Sequence, residues 1–374
     1  MKITVTCPSG LEGVVKRELY SLLGYDAPSL SGKITVDGSI ETVALLNLKM
    51  RTASRVYINL GGFKASDFDT LFNELRNIDF ENYLSKSSKI QISVSSFESK
   101  LSSIQAVKSV AKKAICNRLE DIYKTKLLEN GFEHKFEISI RHDFVTVLLN
   151  TSGESLHKRG YRTKQSEAPI KETVASSILN LSVWNKSKPL IDPFCGSGTF
   201  VIEAGMIIKN IAPGLNRDFD FLHFDKFNLS FYSEMVENLK SEIVTPNVKI
   251  YGFDIDENAV KIAKINAKNA GVSDVCEFKV QNAVDLTSKQ SYGVIVTNPP
   301  YGERLLDRQS IVSLYKKFAI AYKNLDNWSA YIITPVSDFE RLFGIKATKR
   351  RKIYNGKIEC VLYSILGKKP EKNL

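Results

Sequence analysis

The stretch VIVTNPPYGERL, Val294 to Leu305, sets an amide, two prolines and an aromatic ring directly behind an apolar run. The run reads as a buried strand, and the double proline ends it at once, because proline fixes φ and offers no backbone donor. Asn298 and Tyr301 therefore stand at the C-terminal end of a strand, on a stiff loop. An exocyclic amino group on a base or an amide is a poor nucleophile, since its lone pair is delocalised. Two acceptors held together, the Asn298 side-chain oxygen and the Pro299 carbonyl fixed by Pro300, would bond both of its N–H groups and orient that lone pair. Tyr301 would stack on a planar substrate placed there. With a sulfonium methyl donor such a site needs no metal and no covalent intermediate, and its work is positioning and electrostatics. The plain alternative is a proline-stiffened structural turn.

Other strand ends carry polar groups too. In DPFCGSGT, Gly196 and Gly198 let backbone approach a ligand closely, and Thr199 begins a helix whose free N–H groups favour an anion. The signature GxxxxGK[ST] is absent, which disfavours a nucleoside-triphosphate site. The next strand ends at Asp254, where an acidic residue can take both hydroxyls of a ribose. It lies far beyond the roughly twenty-residue spacing of the dinucleotide fingerprint, so a nicotinamide cofactor fits poorly unless 212–247 is an insertion. Asp256 reads as the cap of a helix ending at Gly271. At the third strand end, Gln281, Asn282 and Ala283 offer an amide for the edge of an adenine, or form a surface turn.

The elements that must position these groups alternate strand and helix after residue 165: PLIDPF, VKIYGFDI, CEFKVQ, YGVIVTNPP and AYIITP. That alternation predicts an α/β fold with a mainly parallel, doubly wound sheet. RKIYNGKIECVLYSIL, with Asn355 and Gly356 between two runs, closes it as an antiparallel hairpin. Before this unit lie two small α+β units, 1–62 and 63–155, with the alternating pattern in 156–374. The first has a helix stopping at Gly24. The second has a helix from about Ser103, with Ile104, Val107, Ala111, Ala114 and Ile115 on its apolar stripe. Lys108, Lys112 and Lys113 lie largely off that stripe, as a solvated face or a phosphate-contacting one.

Composition limits the partners. There are 52 Lys and Arg against 41 Asp and Glu, a net +11, with 24 against 18 up to Lys164 and 28 against 23 beyond it. Basic charge through both halves points to a polyanion such as nucleic acid. The segment from Ser155 to Leu179 is dense in His157, Lys158, Arg159, Arg162, Lys164 and Lys171, with Tyr161 among them. The five cysteines form no CxxC pair, which argues against a disulfide framework or a structural zinc site. No run of about eighteen apolar residues suggests a membrane span, and a cytoplasmic protein is expected.

The order DPFCGSGT, GFDID, TNPPYG resembles the class I S-adenosylmethionine-dependent methyltransferases that act on exocyclic amino groups. TCPSGLEGVVKREL, SLHKRGYR…APIKETVASSIL and APGLNRDFDF extend the resemblance over essentially the whole chain, to the bacterial THUMP-domain RNA methyltransferases. Most similar are those forming N2-methylguanosine in large-subunit (23S) ribosomal RNA. The resemblance implies a Rossmann-like methyltransferase domain preceded by ferredoxin-like and THUMP domains, with S-adenosylmethionine as donor and RNA as partner. By position, Asp192, Cys195, Gly196, Gly198 and Thr199 would form the donor's methionine-side loop. Asp254 would hold its ribose, and Ala168 to Thr173 would add a wall to its pocket. Asn282 stands at the adenine contact, where the family often has an acidic residue. Asn298, Pro299, Pro300 and Tyr301 would receive the guanine, and Lys158, Arg159, Arg162 and the run Lys349–Lys352 are candidate phosphate contacts. A buried base must swing out of its stack to reach Asn298, at a cost of a few kcal/mol. Transfer RNA is the rival substrate. DNA adenine-N6 methylation, protein glutamine methylation and a non-catalytic assembly factor are the remaining alternatives.

Overall fold

The computed structural model describes residues 1–30, 32–162, 169–225, 229–301 and 308–368. In chain order these form β1 (Lys2–Thr6), α1 (Glu12–Leu23), β2 (Ser29–Leu30), β3 (Lys33–Asp37), α2 (Ile40–Lys49), β4 (Arg55–Lys64), α3 (Phe68–Arg76), β5 (Lys89–Phe97), α4 (Ile104–Tyr123), β6 (Glu133–Arg141) and β7 (Phe144–Asn150). The second half follows with α5 (Glu172–Leu181), β8 (Leu190–Asp192), α6 (Thr199–Ile208), α7 (Leu229–Ser241), β9 (Ile250–Asp254), α8 (Glu257–Asn269), β10 (Cys276–Val280), β11 (Val294–Thr297), α9 (Arg308–Lys323), β12 (Ser329–Thr334), α10 (Phe339–Phe343), β13 (Lys349–Asn355) and β14 (Ile358–Ile365).

The methyltransferase-like half is one sheet in the order β10-β9-β8-β11-β12-β14-β13. The first five strands run parallel, and β14 enters antiparallel between β12 and β13. The C-terminal hairpin is thus as the sequence predicts. Asn355 is the last strand residue and pairs with Ile358, so the turn is Gly356-Lys357, with Gly356 at φ +66°. Asp256 caps α8, its carboxylate accepting from the Asn258 N–H at 2.8 Å, and Gly271 follows the helix at φ +70°.

The two preceding units share a single sheet, β2-β3-β1-β4-β7-β6-β5. β4 pairs with β1 on one side and β7 on the other, so it crosses the expected boundary at residue 62. α1 ends at Gly24 (φ +79°), and α4 buries Val107, Ala111, Ala114, Ile115 and Leu119. Ile104, in the first turn of α4, is left 49% exposed, and Lys112 pairs with Glu129 at 2.7 Å.

The halves interlock. Phe219, Phe221 and Phe224, from the stretch between α6 and β9, are buried in the core under the N-terminal sheet, while Leu11 and Val14 join the core of the second sheet. Each buried ring contributes roughly 1.5–3 kcal/mol. The stretch that lengthens the gap before Asp254 therefore fastens one half to the other. No helix among the described residues is long and apolar enough to cross a membrane.

Candidate active site

The C-terminal ends of β8, β9 and β11 meet over one turn. β8 ends at Asp192, which is 2% exposed. Its Oδ1 accepts from the Thr297 hydroxyl at 2.6 Å and from the Phe194 N–H at 3.1 Å, tying the end of β8 to the end of β11. The chain then turns through Gly196 (φ +51°) and Gly198 (φ +89°) into α6, and the left-handed backbone is why glycine is needed at both. A Cβ on Gly198 would lie 3.0 Å from the Phe278 ring and 3.1 Å from Ala263, so this glycine also lets α6 pack closely. The Cys195 N–H donates to the Phe253 carbonyl at 2.8 Å and the Gly196 N–H to Asp254 Oδ2 at 2.8 Å, locking the turn to β9.

Gly252 lies beneath this turn. A Cβ there would sit 2.7 Å from the Phe278 ring and 3.1 Å from the Cys195 Cβ. Gly252→Ala is expected to cost about 1–3 kcal/mol by overpacking. A urea titration against the parent protein checks it.

Asp192, Cys195, Gly196 and Thr199 line a cavity of about 90 Å³ together with Asn298, Pro169 and Ile170. Asn298 is half-buried at the end of β11, Pro299 is buried, and Pro300 is exposed with its carbonyl accepting from the Tyr315 hydroxyl at 3.0 Å. Tyr301 is half-buried. The donor-loop candidates and the amide are thus brought together. Two other candidates do not line it. Asn282 accepts from the Val284 N–H at 3.2 Å, capping a short turn outside that cavity. Thr173 is 1% exposed and lines a separate cavity with Lys171, Ser54 and Tyr354. Ala168 lies outside the described residues.

Electrostatics narrow what the groups can do. Burial pushes the Cys195 thiol well above its usual range, helped by the Asp192 and Asp254 charges, so it stays protonated and is no nucleophile. Burial also pushes the Asp192 carboxyl up to about 7, against the Thr297 and Phe194 donors and with the Asp254 charge adding to the rise. In the unfolded chain this carboxyl loses its proton near 3.9, so the folded state holds one more proton between there and about 7. Stability is lost as pH rises through that window. Relative to Asp192→Asn, the parent protein is expected to lose on the order of 2–3 kcal/mol between pH 5 and pH 8, read by urea unfolding at both.

Asp254 is half-buried, with one backbone N–H on each oxygen, from Gly196 and from Asp256 at 3.0 Å. A carboxylate has about four lone-pair sites, so acceptor capacity remains for a vicinal diol. The donor set fits a nucleoside bearing a charged side arm. The enclosed 90 Å³ receives only part of it, since pockets that enclose whole ligands span roughly 300–1,000 Å³.

Two of the basic residues expected at phosphates, Arg159 and Arg162, are committed to buried ion pairs. Arg159 is 2% exposed; its guanidinium pairs with Glu203 at 3.3 Å and donates to the Leu156 carbonyl at 2.7 Å. Arg162 pairs with Glu172 at 2.9 Å and donates to the hydroxyls of Ser197 (3.2 Å) and Thr199 (2.8 Å), bracing the glycine turn. Arg350 pairs with Glu340, and Lys352 with Glu359 at 2.7 Å. Sequence reasoning missed the bracing roles of Thr297, Tyr315 and Asn266, whose Nδ2 donates to the Ser197 carbonyl at 3.1 Å. Each acts across a long sequence separation, and only the polar residue type hinted at it.

Residues 159–364 match the family described as "RMKL-like, methyltransferase domain", and residues 2–57 the "RlmL ferredoxin-like domain". The chain is 38% identical over 371 residues to "Putative RNA methyltransferase YpsC" of Bacillus subtilis (strain 168), covering 98% of this chain and 96% of that one. It is 32% identical over 362 residues to "Ribosomal RNA large subunit methyltransferase K/L" of Shewanella baltica (strain OS185), covering 94% of this chain and 51% of that one. The chain thus spans about half the length of the K/L relatives it matches. Among solved structures, "a possible methylase from Clostridium difficile 630" is 39% identical with a TM-score of 0.94, over 100% of this chain and 99% of that one. SMU.472, "a putative methyltransferase complexed with SAH", is also 39% identical, with a TM-score of 0.93 over 99% of both. Its class I fold and these likenesses make the chain a member of the RMKL-like methyltransferase family.

Proposed function

We propose that this protein transfers a methyl group from S-adenosylmethionine to the exocyclic N2 of a guanine in RNA, with 23S ribosomal RNA in the cytoplasm as its substrate. The observation that carries the reading is that Asn298 lines the same small cavity as the turn of Asp192, Cys195, Gly196 and Thr199. The relatives named as an RNA methyltransferase and as a large-subunit ribosomal RNA methyltransferase support the substrate class.

When bound, S-adenosylmethionine supplies a methyl group on a positively charged sulfur. The chain's part is to hold and aim. Asp254 takes the ribose hydroxyls with the lone pairs its two backbone donors leave. The Asn298 oxygen and the Pro299 carbonyl accept the two N–H groups of the guanine amine and turn its lone pair toward the methyl, while Tyr301 stacks on the ring. The bond from Thr297 to Asp192 keeps the two strand ends in register, so donor turn and target amide do not drift apart. Residues 63–155, as a THUMP unit, grip RNA by shape and backbone.

The test is the nucleoside content of large-subunit RNA from cells with and without the gene. Loss of N2-methylguanosine from that fraction supports the reading. Loss only from transfer RNA keeps the chemistry and moves the substrate. Loss of N6-methyladenine from DNA would sink the RNA assignment; one structural relative carries the description "predicted N6-adenine-specific DNA methylase".

A further inference from the structure

A cleft of about 830 Å³ opens where the N-terminal sheet, the junction 154–162 and the stretch 217–223 face the start of α5. We propose that it holds the single-stranded RNA flanking the target base, with Phe132 and His223 as a stacking platform and Lys135, Lys158 and Lys171 as phosphate partners. The proposal rests on the reading that RNA is the substrate, and it assigns the path by which that RNA reaches Asn298.

Continuity is the first observation. Pro169 and Ile170 line both this cleft and the 90 Å³ cavity that holds Asn298, so one shared wall separates them. A strand lying in the cleft runs past the catalytic amide. The second is a stacked aromatic pair whose outer ring, His223, presents its far face to the cleft. The Phe132 and His223 rings are 3.9 Å apart and 13° from parallel, with Phe132 half-buried and His223 exposed. One ring comes from the residue before β6 and the other from the stretch after α6, so the pair exists only in the folded chain. Stacking on such a surface accepts any base.

Charge is the third. Six Lys and Arg line the cleft against four Asp and Glu. Arg159 and Arg162 are committed to Glu203 and Glu172. Arg217 donates to the carbonyls of Ser152, Glu154, Ser155 and Lys158 at 2.6 to 3.0 Å. The lysines remain for a ligand. Lys135 stands 3.7 Å from Asp220, and Lys158 pairs with Glu154 with both side chains more than 60% exposed. Such pairs are weak, and a phosphate competes with them.

The cleft is also braced. The four bonds of Arg217 fix the junction against the stretch after α6, and a Cβ on Gly160 (φ +92°) would fall 1.9 Å from the Asn216 carbonyl oxygen. A preformed groove loses little entropy on binding.

The test is fluorescence anisotropy of a labelled single-stranded RNA dodecamer with the full chain, repeated over a salt series. His223→Ala and Phe132→Ala are each expected to weaken binding about 5- to 150-fold, with the salt slope unchanged and His223→Tyr restoring affinity. Lys135→Gln, Lys158→Gln and Lys171→Gln should each flatten the slope of log affinity against log salt by about 0.7. His223 and Lys158 are exposed, so their variants keep the fold and the test stands even where Phe132→Ala unfolds. If the parent protein methylates RNA and these variants bind as it does, the cleft assignment falls alone. A parent protein that methylates no RNA removes the underlying reading and the cleft with it.

Discussion

Asn298→Ala should cut methyl transfer by about 10²–10³-fold while donor and RNA affinities stay near those of the parent protein. The size follows from the role. In the proposed role the amide oxygen is one of two acceptors that orient an amine whose lone pair is otherwise spread into the ring, and removing one preorganised partner of a reacting group costs that range in other enzymes. The amide lies at the end of β11, beyond the strand's own pairing with β8 and β12, so truncating it leaves the ladder intact. Single-turnover rates, set beside calorimetric binding of S-adenosylhomocysteine, separate the two effects. Loss of donor binding in step with rate would make Asn298 a donor ligand instead.

Arg159→Met is expected to destabilise the protein by about 3–5 kcal/mol, because it leaves the Glu203 carboxylate buried without its counter-charge. Glu203 is fully buried in α6, where it also receives the Tyr161 hydroxyl at 3.3 Å, and the guanidinium it holds bonds the Arg51 carbonyl in the N-terminal half. Replacing both partners, Arg159→Met with Glu203→Leu, should recover most of the loss. Lys158→Met, one residue away but exposed, should shift stability by no more than about 0.5 kcal/mol. Urea unfolding of the three variants decides it. An Arg159→Met protein as stable as its parent would show that the pair is not what closes this junction.

The contrast between these neighbouring cations shows what the sequence makes legible and what it hides. Apolar runs ending in Asp192, Asp254 and Asn298 mark strand ends, and in a parallel sheet those ends share one edge, so the place of the donor turn and the amide follows from local pattern. The closing hairpin, the cap at Asp256, the helix start near Ser103 and the stop at Gly24 are local too. Lys158 and Arg159 are both cations in a polar segment, and nothing nearby in the chain tells them apart. Only the fold brings Glu203, 44 residues on, against one of them. The same holds for Thr173, which lies next to the α5 start but is turned into another cavity, and for β4, whose ten residues cross the apparent boundary between two units to join one sheet. Phe219, Phe221 and Phe224 fall in the stretch 212–247 that lengthens the gap before Asp254, and their burial under the other half's sheet is a tertiary fact.

The central claim is that Asn298 and the donor turn act together on an amine of guanine in RNA. It is tested most directly by incubating the purified protein and its Asn298→Ala variant with labelled S-adenosylmethionine and total RNA from cells lacking the gene. The RNA is then separated into ribosomal and transfer fractions and digested to nucleosides. Label in N2-methylguanosine from large-subunit RNA, present with the parent protein and absent with the variant, is the predicted result. Label in no RNA while the protein still binds the donor, or equal label with the variant, would contradict it.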